Sequence, residues 1–213
     1  MQLGVNLAVE PFSLALTDEG KFLIETRIKG NYDFSENLLF YLEQAVTAVG
    51  KTIQDINAIG VVSGPGSYTG LRLSHTHCKT LASILNCPLY GMDTFDAYLR
   101  SAPLVKTSML LVIPARKKEF HIRLGSNYPK NLWVMESYLC LKEDRLCEFL
   151  NDVQGDLFVT GRCESVQNVP EQHVVSPCDL SSVVLAKFAG ECLAEGRDGN
   201  YLKVNPKYSH NPV

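Results

Sequence analysis

The spacing of apolar positions along this chain switches between the period of a strand and that of a helix, and the switches mark out its elements. Leu3 to Val9 alternates poorly and is mostly apolar, as a strand covered on both faces must be. Pro11 ends it. Phe12 to Thr17 and Phe22 to Ile28 read as two further strands, joined by the turn triplet Asp18-Glu19-Gly20. Ser35 to Val49 is the first helical stretch, with Ser35 as its N-cap and Gly50 closing it. With Leu38 at zero on a helical wheel, Leu42, Ala45, Val46 and Val49 fall within about 80°. Glu43, Gln44 and Thr47 lie opposite, and Phe40 sits among them as an aromatic on the polar side. Thr52 to Ile56 links this helix to Ile59-Gly60-Val61-Val62, a short β-branched strand.

Leu71 to Leu85 follows as a helix with two apolar stripes. Leu71, Cys78, Leu81, Ala82 and Leu85 form one, and Leu73 and Ile84 the other, with Arg72, Thr76, Lys79 and Ser83 between. A helix apolar on two sides is gripped twice, by its sheet and by a neighbour or a partner. Pro88 to Met92 is a strand. Near Ala102-Pro103 the order of elements begins again, which divides the chain at 1–102 and 103–213. Met109 to Ile113, Phe120 to Leu124 and Leu132 to Met135 are expected strands, and Glu143 to Leu150 an expected helix with Leu146, Phe149 and Leu150 inward. Leu157 to Thr160 and His173 to Val175 are short strands. Ser181 to Ala194 is a helix capped by Ser181 or Ser182 and closed by Gly196. The fold class is α/β.

The chemistry concentrates in Ser63-Gly64-Pro65-Gly66-Ser67-Tyr68-Thr69-Gly70-Leu71-Arg72, between strand and helix. Glycine permits positive φ and lets another backbone or a ligand come close. Ser67 or Thr69 can cap the first N–H groups of the helix, and the same N–H groups can seat an anion. No Gly-Lys-Ser/Thr closes the stretch, so it is not a Walker loop. A tight strand-to-helix turn is the plainer reading, with phosphate binding as its alternative. His75 and His77 are two residues apart, about 160–200° around a helix, which does not make the same-face pair that chelation needs. His77 is expected to pack with a satisfied nitrogen, and His75 to sit at the edge of the apolar arc.

The 213 residues, 46% of them hydrophobic, suffice for one sizeable core or two small lobes. A net charge of -3 gives no general attraction to nucleic acid. Seven cysteines, none in a C-x-x-C spacing, argue against a disulfide scaffold and a zinc ribbon and for reduced thiols. No apolar run approaches membrane-spanning length, and a cytoplasmic protein is expected.

The glycine stretch resembles the signature of the TsaB family, part of the bacterial machinery for threonylcarbamoyladenosine in tRNA and related to the TsaD enzymes. Three more features agree: the helix sequence Ser35-Glu36-Asn37-Leu38-Leu39, with Phe34 where the family has His; Pro114-Ala115-Arg116-Lys117-Lys118-Glu119, where the family often begins with Asp; and a Pro206-Lys207-Tyr208 tail, expected to be extended and packed down. The resemblance implies the actin-like ATPase fold in two lobes, the second abbreviated. The superfamily's first-strand Asp, which lies near nucleotide phosphates and metal, falls on Asn6. The catalytic relatives' pair of metal-binding histidines falls on Thr94 and Tyr98. Neither replacement is a credible iron or zinc ligand, and Asp93 and Asp96 read as helix-start residues.

What the resemblance implies is an accessory subunit without catalytic residues or a required cofactor. It supports a TsaD-type catalytic subunit, is joined by a TsaE-type ATPase, and meets tRNA only through that complex, away from any membrane. Leu39, Phe40, Glu43, Arg72, Leu73, Thr76 and Lys79 are the candidate partner surface, which a homodimer could also use. Gly64, Gly66, Ser67, Thr69 and Gly70 are the candidates for weak ATP or ADP binding. The alternatives are a free-standing ATPase of sugar-kinase type, a metallopeptidase, or a nucleotide-binding homodimer.

Overall fold

The computed structural model describes residues 1–29, 37–115, 118–126, 132–133, 135 and 137–208. In chain order its elements are β1 (Gln2–Asn6), β2 (Phe12–Asp18), β3 (Lys21–Ile28), helix α1 (Leu38–Ala48), a 3-10 turn (Ile53–Asp55), β4 (Ala58–Gly64), α2 (Tyr68–Leu85), β5 (Leu89–Asp93) and α3 (Thr94–Ser101). There follow β6 (Ser108–Pro114), β7 (Glu119–Ser126), β8 (Leu132–Trp133), β9 (Leu139–Lys142), α4 (Glu143–Asp152), β10 (Leu157–Gly161), β11 (Val174–Val175) and α5 (Ser182–Ala194). The chain forms two compact units, Met1–Ala97 with Leu180–Val213, and Tyr98–Asp179.

In the first unit the strand order is β3-β2-β1-β4-β5. The meander β1, β2, β3 is antiparallel, while β4 and β5 run parallel to β1. Burial on both faces of the sheet explains the continuous apolar character of β1 and β4. Leu3, Val5, Ile59 and Val61 join a cluster with Leu38, Leu42, Ala45 and Val46 of α1 and Cys78, Leu81 and Ala82 of α2. Gly4 and Gly60 point to the other face, where α5 lies so close that a Cβ would overlap Ser182 O or Leu185 O. Glycine in a strand interior is thus the mark of a helix backbone pressed onto the sheet.

Helix α5 is tied to this sheet at its N-terminus. Ser182 N and Ser181 Oγ donate to Glu25 Oε1 at 2.7 and 3.0 Å, and Ser182 Oγ donates to Ser13 O at 3.0 Å. A carboxylate at a helix start complements the dipole. The expected division at 102 therefore needs correction. The last helix and the tail belong with the first sheet, since Gly4 and Gly60 open its second face and a polar cap awaits the helix there.

The second unit repeats the plan. Strand β6 pairs antiparallel with β7 and parallel with β10, in the order β11-β10-β6-β7-β8, with β9 also paired to β7. Its core unites Leu110, Val112, Phe120, Ile122, Leu157 and Val159 with Leu146 and Leu150 of α4. This is the abbreviated form: β8 and β11 are two residues each. Strand β9, Leu-Cys-Leu-Lys, was not legible, because its side chains are mostly exposed and only its pairing to β7 makes it a strand. Ser35, Phe34, Arg116 and Lys117 lie outside the described residues.

Candidate functional site

The glycine turn starts where β4 ends. Gly64 has φ +116°, a backbone that L side chains rarely adopt, and a Cβ there would overlap Lys207 O. A Cβ on Gly66 would stand 2.8 Å from Ala8 O, and one on Gly70 would overlap Leu7 O. The three glycines thus admit the loop after β1 and the C-terminal tail. Ser67 is the N-cap: its Oγ accepts from Gly70 N at 3.3 Å, and its own N–H donates to Ala8 O at 2.8 Å. Helix α2 begins at Tyr68, three residues before the start the pattern suggests, because this cap lies inside the motif. Thr69 is exposed. Of the nucleotide candidates, Gly64, Gly66 and Gly70 have backbone of this chain packed against them, and the Gly70 N–H is taken by the cap.

Asn6 holds the neighbouring loop and is wholly buried. Its Nδ2 donates to Val9 O (2.8 Å) and Pro11 O (3.2 Å), and its Oδ1 accepts from Ala8 N (3.1 Å) and Val9 N (3.2 Å). Only an amide can donate and accept in this way; a carboxylate would face two carbonyl oxygens. Thr94 is spent similarly, its Oγ1 donating to Pro65 O at 2.6 Å. Asp93 Oδ1 accepts from Phe95 N at 2.9 Å, the helix-start role read from the sequence. Tyr98, in the second unit, is wholly buried, and burial pushes its phenol well above the usual range.

The histidine assignments reverse. His75 is the buried one, with Nε2 3.2 Å from Val62 O, while His77 is half-buried. The tail covers α2 near Val204, so a position at the edge of the sheet-facing arc is enclosed from its other side. Burial holds the imidazole below its usual pKa against the opposing pull of the Val62 and Val204 backbone. Among the described residues no group of three or more His, Cys, Asp or Glu side chains is placed to hold a metal ion. All seven cysteines are unbridged, and burial pushes the Cys87 and Cys163 thiols up to about 11, which makes them poor nucleophiles.

The helix faces follow the periodicity. On α1, Leu38, Leu42, Ala45 and Val46 are buried, while Leu39 and Phe40 stand 49% and 55% exposed beside exposed Glu43. On α2, Arg72 and Thr76 are exposed and Leu73 and Lys79 half-buried. One feature was missed. Lys79 Nζ donates to Asn205 Oδ1 at 3.0 Å, and Tyr208 packs on Tyr68, so part of the α2 face carries the chain's own tail. The Pro-x-Tyr residues pointed to a packed tail, but its track along α2 has no local signal.

Comparison with known proteins bears on these features. A family model described as TsaD, tRNA N6-adenosine threonylcarbamoyltransferase, matches residues 31–130. The tRNA threonylcarbamoyladenosine biosynthesis protein TsaB of Escherichia coli (strain K12) is 25% identical over 162 residues, 75% of this chain and 70% of that one. The protein of the same name in Bacillus subtilis (strain 168) is 44% identical over 43 residues, 20% of this chain and 19% of that one. The solved structure of YeaZ from Pseudomonas aeruginosa superposes with a TM-score of 0.73 at 20% identity, covering 97% of this chain and 98% of that one. A second structure from Pseudomonas aeruginosa, of a protein with similarity to peptidase YeaZ, gives 0.76 at 21%, covering 98% of each. The fold is therefore the two-lobed α/β architecture of these proteins, and in sequence the chain is similar to TsaB over three quarters of its length.

Proposed function

We propose that this chain works in threonylcarbamoyladenosine biosynthesis on tRNA as the non-catalytic subunit that supports a TsaD-type enzyme. The likeness to Escherichia coli TsaB over three quarters of the chain carries the role. The non-catalytic part rests on the interior. Asn6, Thr94, Ser67 and Gly70 occupy the positions where the chemistry of relatives is expected, and each spends its polar atoms on this chain's own backbone or cap. No required cofactor follows from such a site, and nucleotide binding at the glycine turn is at most weak. The protein acts in the cytoplasm; no helix among the described residues is long and apolar enough to cross a membrane.

The partner face in this reading is the exposed side of α1 with the free part of α2. Leu39 and Phe40 leave large apolar surface in water beside Glu43, a mixture suited to a protein interface. A TsaE-type ATPase joins the pair, a second copy of this chain is the competing occupant of the same face, and tRNA is met through the complex.

The experiment is reconstitution. The chain, a TsaD-type subunit, a TsaE-type ATPase and the enzyme supplying threonylcarbamoyl-adenylate are combined with unmodified tRNA, which is then digested and analysed by mass spectrometry. The modified nucleoside is expected only when this chain and the TsaD-type subunit are both present. Modification by this chain without that subunit, or full modification without this chain, would refute the reading. Phe40→Ala should weaken the association of the two subunits while leaving unfolding unchanged.

A further inference from the structure

Residues 199–208 form a strap along α2. Gly199 O accepts from Leu89 N at 2.9 Å, Tyr201 Oη donates to Ser83 Oγ at 3.3 Å, and Lys79 donates to Asn205. Lys207 N then donates to Ser63 O at 2.6 Å, and Tyr208 lies against Tyr68 with ring centres 4.9 Å apart at 44°. The strap thus runs from the C-terminal end of the helix back to its first turn. What α2 offers a partner is a helix and strap together.

At the end of the strap three side chains meet in solvent. Tyr68 is 43% and Tyr208 37% exposed, and Arg72 is exposed beside them. The Arg72 guanidinium stands 5.4 Å from the Tyr68 ring centre, and its Nη1 donates to Tyr68 Oη at 3.3 Å. No carboxylate of the described residues pairs with it. Ordering an exposed arginine costs side-chain entropy, and the contact with the tyrosine already restricts this exposed guanidinium.

We propose that Tyr68, Arg72 and Tyr208 form one anchor in the partner face, with Arg72 taking a carboxylate of the partner subunit between the two rings and the exposed Lys207. This rests on the partner-face reading given above. Tyrosine and arginine are the residue types that dominate binding energy at interfaces, and a guanidinium fork matches a carboxylate in two parallel hydrogen bonds. The local charge is positive, from Arg72, Lys79 and Lys207, although the chain as a whole carries -3. An acidic protein surface fits this better than RNA. A base would need a ring face to stack on, and on the Tyr68 ring it would compete with Arg72 and Tyr208.

The test uses the full chain and the TsaD-type subunit, with affinity from titration calorimetry at two salt concentrations and thermal unfolding of each variant alone. Tyr208→Ala and Arg72→Ala are each expected to weaken binding about tenfold or more, with unfolding temperatures near the parent's. Arg72→Lys keeps the charge and loses the fork, so it should recover only part of the affinity. Added salt should narrow the gap between the parent and Arg72→Ala. Should Tyr208→Ala unfold early, the two exposed Arg72 variants decide alone. Parent-like affinity in them, while Phe40→Ala still binds weakly, overturns the anchor and leaves the partner face standing. Tighter binding by Tyr208→Ala overturns it as well, since the strap would then occlude the face. If Arg72→Ala loses tRNA binding and keeps subunit binding, the site is an RNA contact. Failure of the parent to bind the subunit at all removes both readings.

Discussion

Replacing Asn6 by aspartate changes one NH2 group to oxygen and tests whether this position has abandoned cation chemistry. In the parent, Nδ2 donates to Val9 O and Pro11 O, and the residue has no solvent exposure. Asn6→Asp keeps the two bonds accepted from Ala8 N and Val9 N and loses both donated ones. Each buried carbonyl left without its donor costs about 1–3 kcal/mol. The sum is about 2–6 kcal/mol before the desolvation of the new charge, a large part of a domain stability of about 5–15 kcal/mol. A fall of about 10 °C in unfolding temperature is expected at pH 7. The deficit should depend on pH in a definite sense. Burial and two facing carbonyl oxygens raise the new carboxyl's folded pKa above its ordinary value near 4. The folded form then binds the proton more readily than the unfolded chain. The deficit is full above the raised pKa and shrinks as pH falls toward about 4, where a protonated carboxyl can donate one of the lost bonds. Differential scanning fluorimetry from pH 4 to 8, with and without magnesium, measures this. A variant that unfolds with the parent at pH 7, or gains stability from magnesium, would show that the loop accepts a carboxylate and a cation, and the account of Asn6 would be wrong.

Gly60→Ala should destabilise the first unit by about 2 kcal/mol or more, because its Cβ overlaps Leu185 O of α5; urea unfolding should separate it from Gly20→Ala, which meets no atom and costs about 1 kcal/mol for its φ of +75°. Leu42→Ala, at a position 1% exposed, should cost about 2–5 kcal/mol, whereas Phe40→Ala should stay within about 0.5 kcal/mol of the parent; equal losses in chemical denaturation would mean the two faces of α1 are misassigned. His75 is held neutral by burial, so the unfolded chain takes up a proton below about pH 6.5 before the folded one does. Stability should therefore fall between pH 7 and 5, and His75→Gln should flatten that slope; an unchanged slope in urea melts counts against it.

Local pattern was enough wherever one segment's own periodicity or cap decided the outcome. The faces of α1 could be read because burial there repeats every 3.6 residues, with Leu38 and Leu42 inward and Leu39 and Phe40 out. The double-faced burial of β1 could be read from its lack of alternation, and the strand-to-helix turn from its glycines and Ser67. The resemblance marks Asn6 and Thr94 as departures from the relatives' ligand positions, but the backbone partners their polar atoms take could not be read. The rest depended on which distant segments meet. The sequence of α5 is apolar enough to cover either sheet, and its placement on the first was decided by the bare backbone of Gly4 and Gly60 and by Glu25, more than a hundred residues away. The glycines of the turn look the same whether a phosphate or a carbonyl approaches them, and the close approach of Leu7, Ala8 and Lys207 appears only once the chain is folded. His75 became buried, and the α2 face became composite, because a tail with almost no periodicity returned across the helix. Such a segment earns its position from hydrogen bonds to other elements, and those partners are invisible in its own residues.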